Sequence, residues 1–179
     1  MNKYIIFIAL IFCAGSSYGQ LYYSRTGSIG FYASTPLEDI KAENNQVYVL
    51  IDIGKRELAF SSLLKGFIFP KELMQEHFNE NYVESDKFPK ATFTGNFTGS
   101  VDVKKDGSYP VQVKGELTLH NVVKMVELPA MLEVKGGMIM ATAHLMVKPE
   151  DFQINIPSVV RNKIAREVSI NVNANCSPK

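Results

Sequence analysis

An unbroken two-residue alternation of side-chain character runs through residues 109–119. One side of this segment carries apolar or small residues, namely Tyr109, Val111, Val113, Gly115, Leu117 and Leu119. The other side carries polar residues, namely Gln112, Lys114, Glu116, Thr118 and His120. Because successive side chains of a β-strand point to opposite faces, this pattern predicts a strand with one dry face and one wet face.

The same period recurs along the rest of the chain. Shorter segments each place a set of apolar residues on one face: Ile29, Phe31 and Ala33; Val47, Val49 and Ile51; Leu58, Phe60 and Leu64; Ala91, Phe93 and Phe97; Phe152, Ile154 and Ile156; Val168, Ile170 and Val172. The turn dipeptides Asp106-Gly107 and Gly136-Gly137 are each flanked by alternating segments, as in hairpins. About eight such segments predict an all-β protein, either an antiparallel sandwich or a closed barrel.

Two short helices are also predicted, over residues 70–78 and roughly 158–166. The first has Pro70 at its first helical position, where the missing N–H costs nothing, and Asn79-Glu80-Asn81 is expected to end it. A barrel of about eight strands is just wide enough either to be filled by its own side chains or to hold one slender apolar ligand. The residues leave both alternatives open.

Residues 1–19 have the pattern of a cleavable signal peptide. Lys3 supplies the positive start, residues 4–14 form an apolar core, and Ser17-Tyr18-Gly19 is a small-x-small cleavage site, so we place the mature start near Gln20. The apolar run is too short to span a bilayer. This interpretation predicts a periplasmic or secreted protein that has no integral membrane anchor after processing. The mature chain would be a single domain over residues 20–179.

A lipoprotein is the alternative, because Cys13 lies in the apolar run as a lipid-acceptor cysteine would. Phe12 before it is bulkier than the small residue that lipoprotein processing normally requires, so we favour secretion with cleavage. Cys176 would then be the remaining cysteine, which leaves it either an intermolecular disulfide or an exposed thiol. Because it lies near the C-terminus, beyond the final alternation, we expect Cys176 to be dispensable for the fold and for binding. A homodimer is compatible with this chain.

The charge balance argues against a nucleic-acid partner. Removal of the signal peptide takes away Lys3 and no acid, so 18 basic side chains face 18 acidic ones and the formal net charge is zero. Since the mature chain cannot form an internal disulfide, its stability must come from a hydrophobic core. A chain of this length and apolar content is sufficient for one such core.

Candidate chemistry is sparse. His77, Glu80 and Glu84 would share a helical face as metal ligands, but the asparagines interrupt the helix and no second histidine is near, so we predict no metal site. No nucleophile elbow, glycine-rich phosphate loop or cysteine with a basic partner is present, so we predict no catalytic residue, no cofactor and no enzyme activity.

The remaining histidines and the methionines have structural interpretations. His120 is expected to be a hydrogen-bonded turn residue beside Asn121, a residue suited to positive φ. His144 is expected to be a buried neutral imidazole on the face that carries Met140 and Met146. Five methionines of the C-terminal half suit either an adaptable apolar wall or ordinary core packing: Met125, Met131, Met138, Met140 and Met146.

Four stretches together resemble the YceI-like family of secreted polyisoprenoid-binding proteins, in its Bacteroidetes-type branch. They are "STPLEDIKAENNQV" (34–47), "LMQEHFNENYVESDKFPKATF" (73–93), "GELTLHNVVKMVELP" (115–129) and "EDFQINIP" (150–157), in the expected order. The resemblance implies a lipocalin-like antiparallel β-barrel with one or two short helices, a helix beside its mouth and a long apolar ligand inside.

On this interpretation the protein binds, sequesters or transports a long apolar lipid, a polyisoprenoid, in the periplasm. Inward-facing apolar residues would line the ligand-binding site: Phe31, Phe60, Leu73, Phe93, Phe97, Val113, Leu117, Leu119, Phe152 and Ile170. Two alternatives are an isoprenoid-quinone carrier linked to membrane redox chemistry and a ligand-free structural or interaction barrel.

Overall fold

Eight antiparallel strands form a closed barrel in the computed structural model, which describes residues 21–34, 39–156 and 167–179. The strands are β1 (Leu21–Ala33), β2 (Ile40–Asp52), β3 (Glu57–Leu63), β4 (Lys90–Thr98), β5 (Gly107–Leu119), β6 (Val122–Lys135), β7 (Met138–Val147) and β8 (Val168–Pro178). Each strand pairs with the next, and β8 closes on β1. The predicted all-β barrel is therefore confirmed, whereas the signal peptide and the second predicted helix lie outside the described residues.

The predicted alternation of buried and exposed side chains in β5 is confirmed. Val111, Val113 and Gly115 are buried, while Gln112 and Lys114 between them are exposed. The whole strand pairs with β6, from Gly107 opposite Val134 to Leu119 opposite Val122. Register in this hairpin is fixed because a slip of one residue would turn the apolar set of β5 toward water.

The backbones of β4 and β5 approach each other so closely that two positions on these strands must be glycine. Gly95 and Gly115 are directly opposite each other. A Cβ atom on Gly115 would lie 2.3 Å from the carbonyl oxygen of Thr94 and 2.6 Å from the ring of Phe93. Neither position can therefore carry a side chain without a shift of backbone, and the Phe93 ring covers the space instead.

A short α-helix, α1 (Glu72–His77), lies between β3 and β4 in the predicted segment. Its N-cap is Lys71, so the prediction that Pro70 takes the first helical position is wrong. The asparagines do not end the helical segment, because it continues as one wider turn over Phe78–Tyr82. Asn79 Nδ2 donates to the carbonyl oxygen of Gln75 at 2.9 Å, so this side chain supports the helical path instead of breaking it. Among the described residues, no helix is long and apolar enough to cross a membrane.

The predicted position of Cys176, beyond the final strand with an exposed or intermolecularly paired thiol, is wrong, while its dispensability for the fold and for binding stays a prediction. Strand β8 continues to Pro178, Cys176 is opposite Ile139 in β7, and its side chain is 0% exposed. The alternation had continued through Val172, Ala174 and Cys176, but its small residues carry a weak apolar signal. Burial raises the pKa of the Cys176 thiol to about 11, so the thiol is a neutral part of the core.

We therefore expect Cys176 to resist alkylation in the folded protein. The thiolate is the nucleophile, and both the raised pKa and the lack of exposure keep it from the reagent. Iodoacetamide labelling of a chain beginning at Gln20, followed by intact-mass measurement, should be slow in buffer and fast in guanidinium chloride. Ser177→Cys in a Cys176→Ala background is the matched control, because position 177 is exposed. Equally fast labelling of Cys176 and Cys at position 177 in the folded state would contradict the buried position.

Candidate functional site

The interior of the barrel holds a cavity of about 640 Å³. This volume lies in the range typical of pockets for small apolar ligands. The cavity extends from the middle of the barrel to α1, where Leu73, Met74 and His77 form part of its wall. The side chains of this eight-stranded barrel therefore do not fill its interior, and the remaining space is large enough for one ligand.

Packing closes the barrel at the opposite end. There the strands and the turn between β2 and β3 contribute buried side chains that are not part of the cavity wall: Tyr22, Ile53, Phe97, Val134, Ile139 and Cys176. The sequence left open whether the barrel is filled or hollow. The barrel is hollow at the end that carries α1 and filled at the opposite end. The cavity consequently has a floor, and a ligand would reach it from the end that carries α1.

An aromatic cluster lines the cavity near α1. The rings of Phe31, Phe67, Phe69 and Phe78 have centroids 5.1 to 5.6 Å apart in the contacting pairs. Such tilted and edge-to-face pairs stabilise each other beyond the area that they bury. The cluster joins β1 to the segment before α1 and to the helical turn after it, so it fixes this helical segment over the cavity.

Sequence reasoning missed Phe67 and Phe69 as wall residues. Their signal was a short alternation, with Phe67 and Phe69 buried and Ile68 between them exposed. Backbone hydrogen bonds between Ile68 and Glu43, of 2.8 and 3.2 Å, attach this segment to β2. The segment thus continues the barrel wall, although it belongs to no named strand.

Polar groups are few in the wall. They come from Lys71, His77 and Tyr82 near the helical segment and from Thr142 in β7. Burial raises the pKa of the Tyr82 hydroxyl above its ordinary value, so the group is neutral and can donate or accept one hydrogen bond. The deep part of the cavity therefore offers hydrocarbon contacts, and the few polar contacts lie mainly near α1.

Eight of the ten residues predicted to line a ligand are in the wall of the cavity: Phe31, Phe60, Leu73, Phe93, Val113, Leu117, Leu119 and Ile170. Phe97 and Phe152 are buried but do not line it. Phe97 belongs to the packed end, and Phe152 lies in a helical turn (Pro149–Phe152) that follows β7. Contact of the eight wall residues with a ligand stays a prediction.

The five methionines do not form an inner wall. Met125, Met131, Met138, Met140 and Met146 are all exposed. Both faces of β7 carry apolar residues, so periodicity alone does not show which face is the inner one. In the barrel the inner face carries Ala141, Ala143, Leu145 and Val147. His144 is exposed with the methionines, and its Nδ1 lies 3.0 Å from Asn171 Oδ1, so the prediction of a buried imidazole is wrong.

The three side chains considered above as metal ligands, His77, Glu80 and Glu84, differ in their surroundings. His77 and Glu80 are exposed, whereas Glu84 lies 3.1 Å from His120 Nε2 through its Oε2. Its other oxygen accepts from Lys87 Nζ. Hydrogen bonds from Lys87 and His120 lower the pKa of the Glu84 carboxyl below its ordinary value. In the described part of the chain, no three His, Cys, Asp or Glu side chains are grouped closely enough to hold a metal ion.

A family model described as the YceI-like domain matches residues 26–176. The chain belongs to the YceI-like family. The match covers all of the barrel except the first residues of β1 and the last residues of β8, and it includes every segment that carries the cavity wall. No curated protein matches the chain in a sequence search.

Solved structures share the fold at low sequence identity. A polyisoprenoid binding domain from Saccharophagus degradans, implicated in plant cell wall breakdown, has a TM-score of 0.77 at 15% identity and covers 90% of this chain and 99% of its own. BcnA from Burkholderia cenocepacia has a TM-score of 0.72 at 13% identity and covers 84% and 96%. A Campylobacter jejuni YCEI protein has a TM-score of 0.52 at 18% identity and covers 73% and 80%. These likenesses show a common YceI-like barrel.

Proposed function

We propose that this YceI-like protein binds one long apolar lipid of the isoprenoid class in its barrel, without chemical conversion. The cavity of about 640 Å³ with an almost entirely hydrocarbon wall carries this proposal. A packed floor at one end and α1 at the other define a deep, one-ended site. A flexible hydrocarbon chain is the ligand shape that such a site accommodates.

Affinity would come mainly from removing hydrocarbon from water. Each Å² of apolar surface that leaves water contributes about 25 cal/mol, so a long chain can bind firmly with few polar contacts. Part of this gain is offset by loss of chain flexibility on binding. The aromatic cluster reduces the protein's share of that cost, because packing already holds its rings in place.

Two observations favour an isoprenoid over other apolar lipids. The structurally similar domain from Saccharophagus degradans is described as polyisoprenoid binding. In addition, the wall mixes flat aromatic rings with short branched or methyl side chains, such as Val113, Ala141 and Ala143, and small side chains of this kind can pack against the methyl branches of an isoprenoid chain. We place the binding event in the periplasm, on the basis of the signal-peptide pattern in residues 1–19.

Native mass spectrometry of the secreted protein tests this function. We expect a chain that begins at Gln20 and carries one bound lipid, which an organic extract should yield as an isoprenoid. The same spectrum reports the cleavage site from the mass of the protein after the lipid has been removed.

The composition of the extract separates the alternatives. Ultraviolet absorbance of a quinone head group would favour the quinone carrier, and straight-chain fatty acids alone would contradict an isoprenoid ligand. A protein that stays empty after incubation with isoprenoid-containing vesicles would exclude the binding function. Outward-facing Met140→Lys serves as the control, because it alters the surface and leaves the cavity wall intact.

A further inference from the structure

The seam between β6 and β7 is only partly hydrogen-bonded. Their ladder runs from Lys135 opposite Met138 to Ala130 opposite Ala143 and stops there. Residues 122–129 of β6 continue to pair with β5, and residues 144–147 of β7 continue to pair with β8. The ladder ends beside Pro129, which has no N–H to donate. At the end of the barrel that carries α1, the two strands therefore separate.

The rims of this seam are apolar on the inner side and mixed on the outer side. Val126 and Leu128 on β6, and Leu145 and Val147 on β7, line the cavity. On the outer side, Val123 and Met125 of β6 and Met146 of β7 are exposed beside Glu127 and His144. Apolar side chains thus lie on both sides of the part of the wall that lacks ladder hydrogen bonds. Methionine side chains are flexible and can adapt to different apolar partners.

A short segment lies against β6 beside the seam. Residues 148–156 leave β7, form the helical turn at Pro149–Phe152 and contact β6. Phe152 and Ile154 are buried, and Pro149, Ile154 and Ile156 line the cavity. The turn is closed locally, with Ile154 N donating to the carbonyl oxygen of Pro149 at 3.1 Å.

His120 connects this segment to the loop that follows the helical segment. Its Nδ1 lies 3.0 Å from the carbonyl oxygen of Phe152, and its Nε2 lies 3.1 Å from Glu84 Oε2. The ring of Phe88 packs edge-on against the imidazole, with centroids 4.5 Å apart. One imidazole thus connects the backbone of residues 148–156 to the loop that carries Glu84 and Phe88.

Strained backbone is concentrated at the same junction. Five non-glycine residues of the described chain have positive φ, and four of them, Glu84, His120, Asn121 and Gln153, are at or beside this connection. Such conformations cost free energy and persist where the surrounding contacts hold them. The junction is therefore held by a few specific bonds, in contrast to the continuous ladders elsewhere in the barrel.

We propose that the β6–β7 seam is the route by which lipid enters and leaves the cavity, and that residues 148–156 close it. His120 is the positioning residue that keeps the segment closed. The inference rests on the proposed lipid-binding function, because the route matters only if the cavity exchanges its contents. Movement of this segment breaks few hydrogen bonds, whereas opening any fully paired pair of strands would break a ladder.

Exchange kinetics with all-trans-retinol, a fluorescent isoprenoid, test the route. Release to phosphatidylcholine vesicles should be about ten-fold faster in His120→Ala, which loses both hydrogen bonds of the imidazole. Glu84→Gln should accelerate release less than His120→Ala does, because the imidazole keeps its contact with the carbonyl oxygen of Phe152. Amide hydrogen exchange at Gln153 and Ile154 should accelerate in His120→Ala, while the β7–β8 ladder stays protected.

A matched pair of surface variants tests the seam without affecting His120. Met146→Lys and Met140→Lys both lie on the outer face of β7, with the methionines 52% and 40% exposed. Only Met146 borders the unpaired part of the seam. Met146→Lys should slow retinol uptake several-fold, because hydrocarbon would have to cross a charge, and Met140→Lys should not.

The outcomes separate this inference from the function on which it rests. Absence of retinol binding at equilibrium would count against the proposed function. Normal binding, with equal uptake rates in the two lysine variants and an unchanged release rate in His120→Ala, would overturn the seam route. Should His120→Ala fail to fold, the lysine pair still decides, since both changes are on the surface.

Discussion

Phe97→Ala is expected to lower the free energy of unfolding by about 3–5 kcal/mol, the usual cost of truncating a phenylalanine in a filled core. Phe97 is 2% exposed and belongs to the packed end of the barrel, outside the cavity. Its neighbours cannot collapse into the space without shifting strands that are hydrogen-bonded on both sides. Thermal or denaturant unfolding of the delipidated and the lipid-loaded protein would measure the loss, which should be the same in both.

Phe93→Ala is the matched comparison in the same strand. Phe93 is 9% exposed, lines the cavity and covers Gly115, so its ring already has open space on one side. Truncation should cost less than at Phe97 in the empty protein and should mainly change the affinity for lipid or the preferred chain length. Equal destabilisation by the two substitutions, with and without lipid, would mean that Phe93 is an ordinary core residue.

Filling the cavity from within should abolish lipid binding and leave the fold intact. Ala141 lies on the inner face of β7 and lines the cavity, so Ala141→Phe would place a phenyl ring where the lipid is expected. The ring replaces empty volume and gains dispersion contacts, so the melting temperature of the empty protein should not fall. Lipid stoichiometry, measured by native mass spectrometry or retinol titration, should drop from one to near zero.

The control for this substitution is Met140→Phe, at the neighbouring position on the outer face. It adds an aromatic ring to the same strand without entering the cavity, and binding should be retained. Full lipid occupancy in Ala141→Phe, together with an unchanged fold, would show that the ligand lies elsewhere. Unfolding of Ala141→Phe would indicate that the wall is too rigid to accept the ring, and Ala143→Phe then repeats the test at the next inward position.

Local pattern was sufficient to predict an all-β fold and most of the inner wall, while the choice of a barrel over a sandwich came from the family resemblance. The alternation in β5 depends only on the two-residue period of a strand, so Val113, Leu117 and Leu119 could be assigned to the inside before any partner was known. The same reasoning placed Phe31, Phe60 and Phe93 correctly in the wall. It was least informative in β7, where both faces are apolar and periodicity gives no preference.

Depth along the barrel axis could not be read from the sequence. Phe93 and Phe97 are on the same face of one strand, yet one lines the cavity and the other belongs to the packed floor. Strand tilt and the stagger of all eight strands decide where the floor lies, and these are collective properties of the closed barrel. Cys176 is buried for a related reason, because pairing with β7 and β1 extends β8 to Pro178.

The sequence by itself determined the strand periods, the Gly136-Gly137 turn between β6 and β7 and the inward set of β5, because each depends on neighbouring residues. Asp106-Gly107 does not form the predicted two-residue turn, since Gly107 is the first residue of β5. Only the tertiary structure decided that the barrel is filled at one end and hollow at the other, and that the methionines face water. It also brought Glu84 and Phe152 to His120 across 36 and 32 positions of the chain. Such contacts depend on barrel closure, which fixes distances between segments that no local pattern relates.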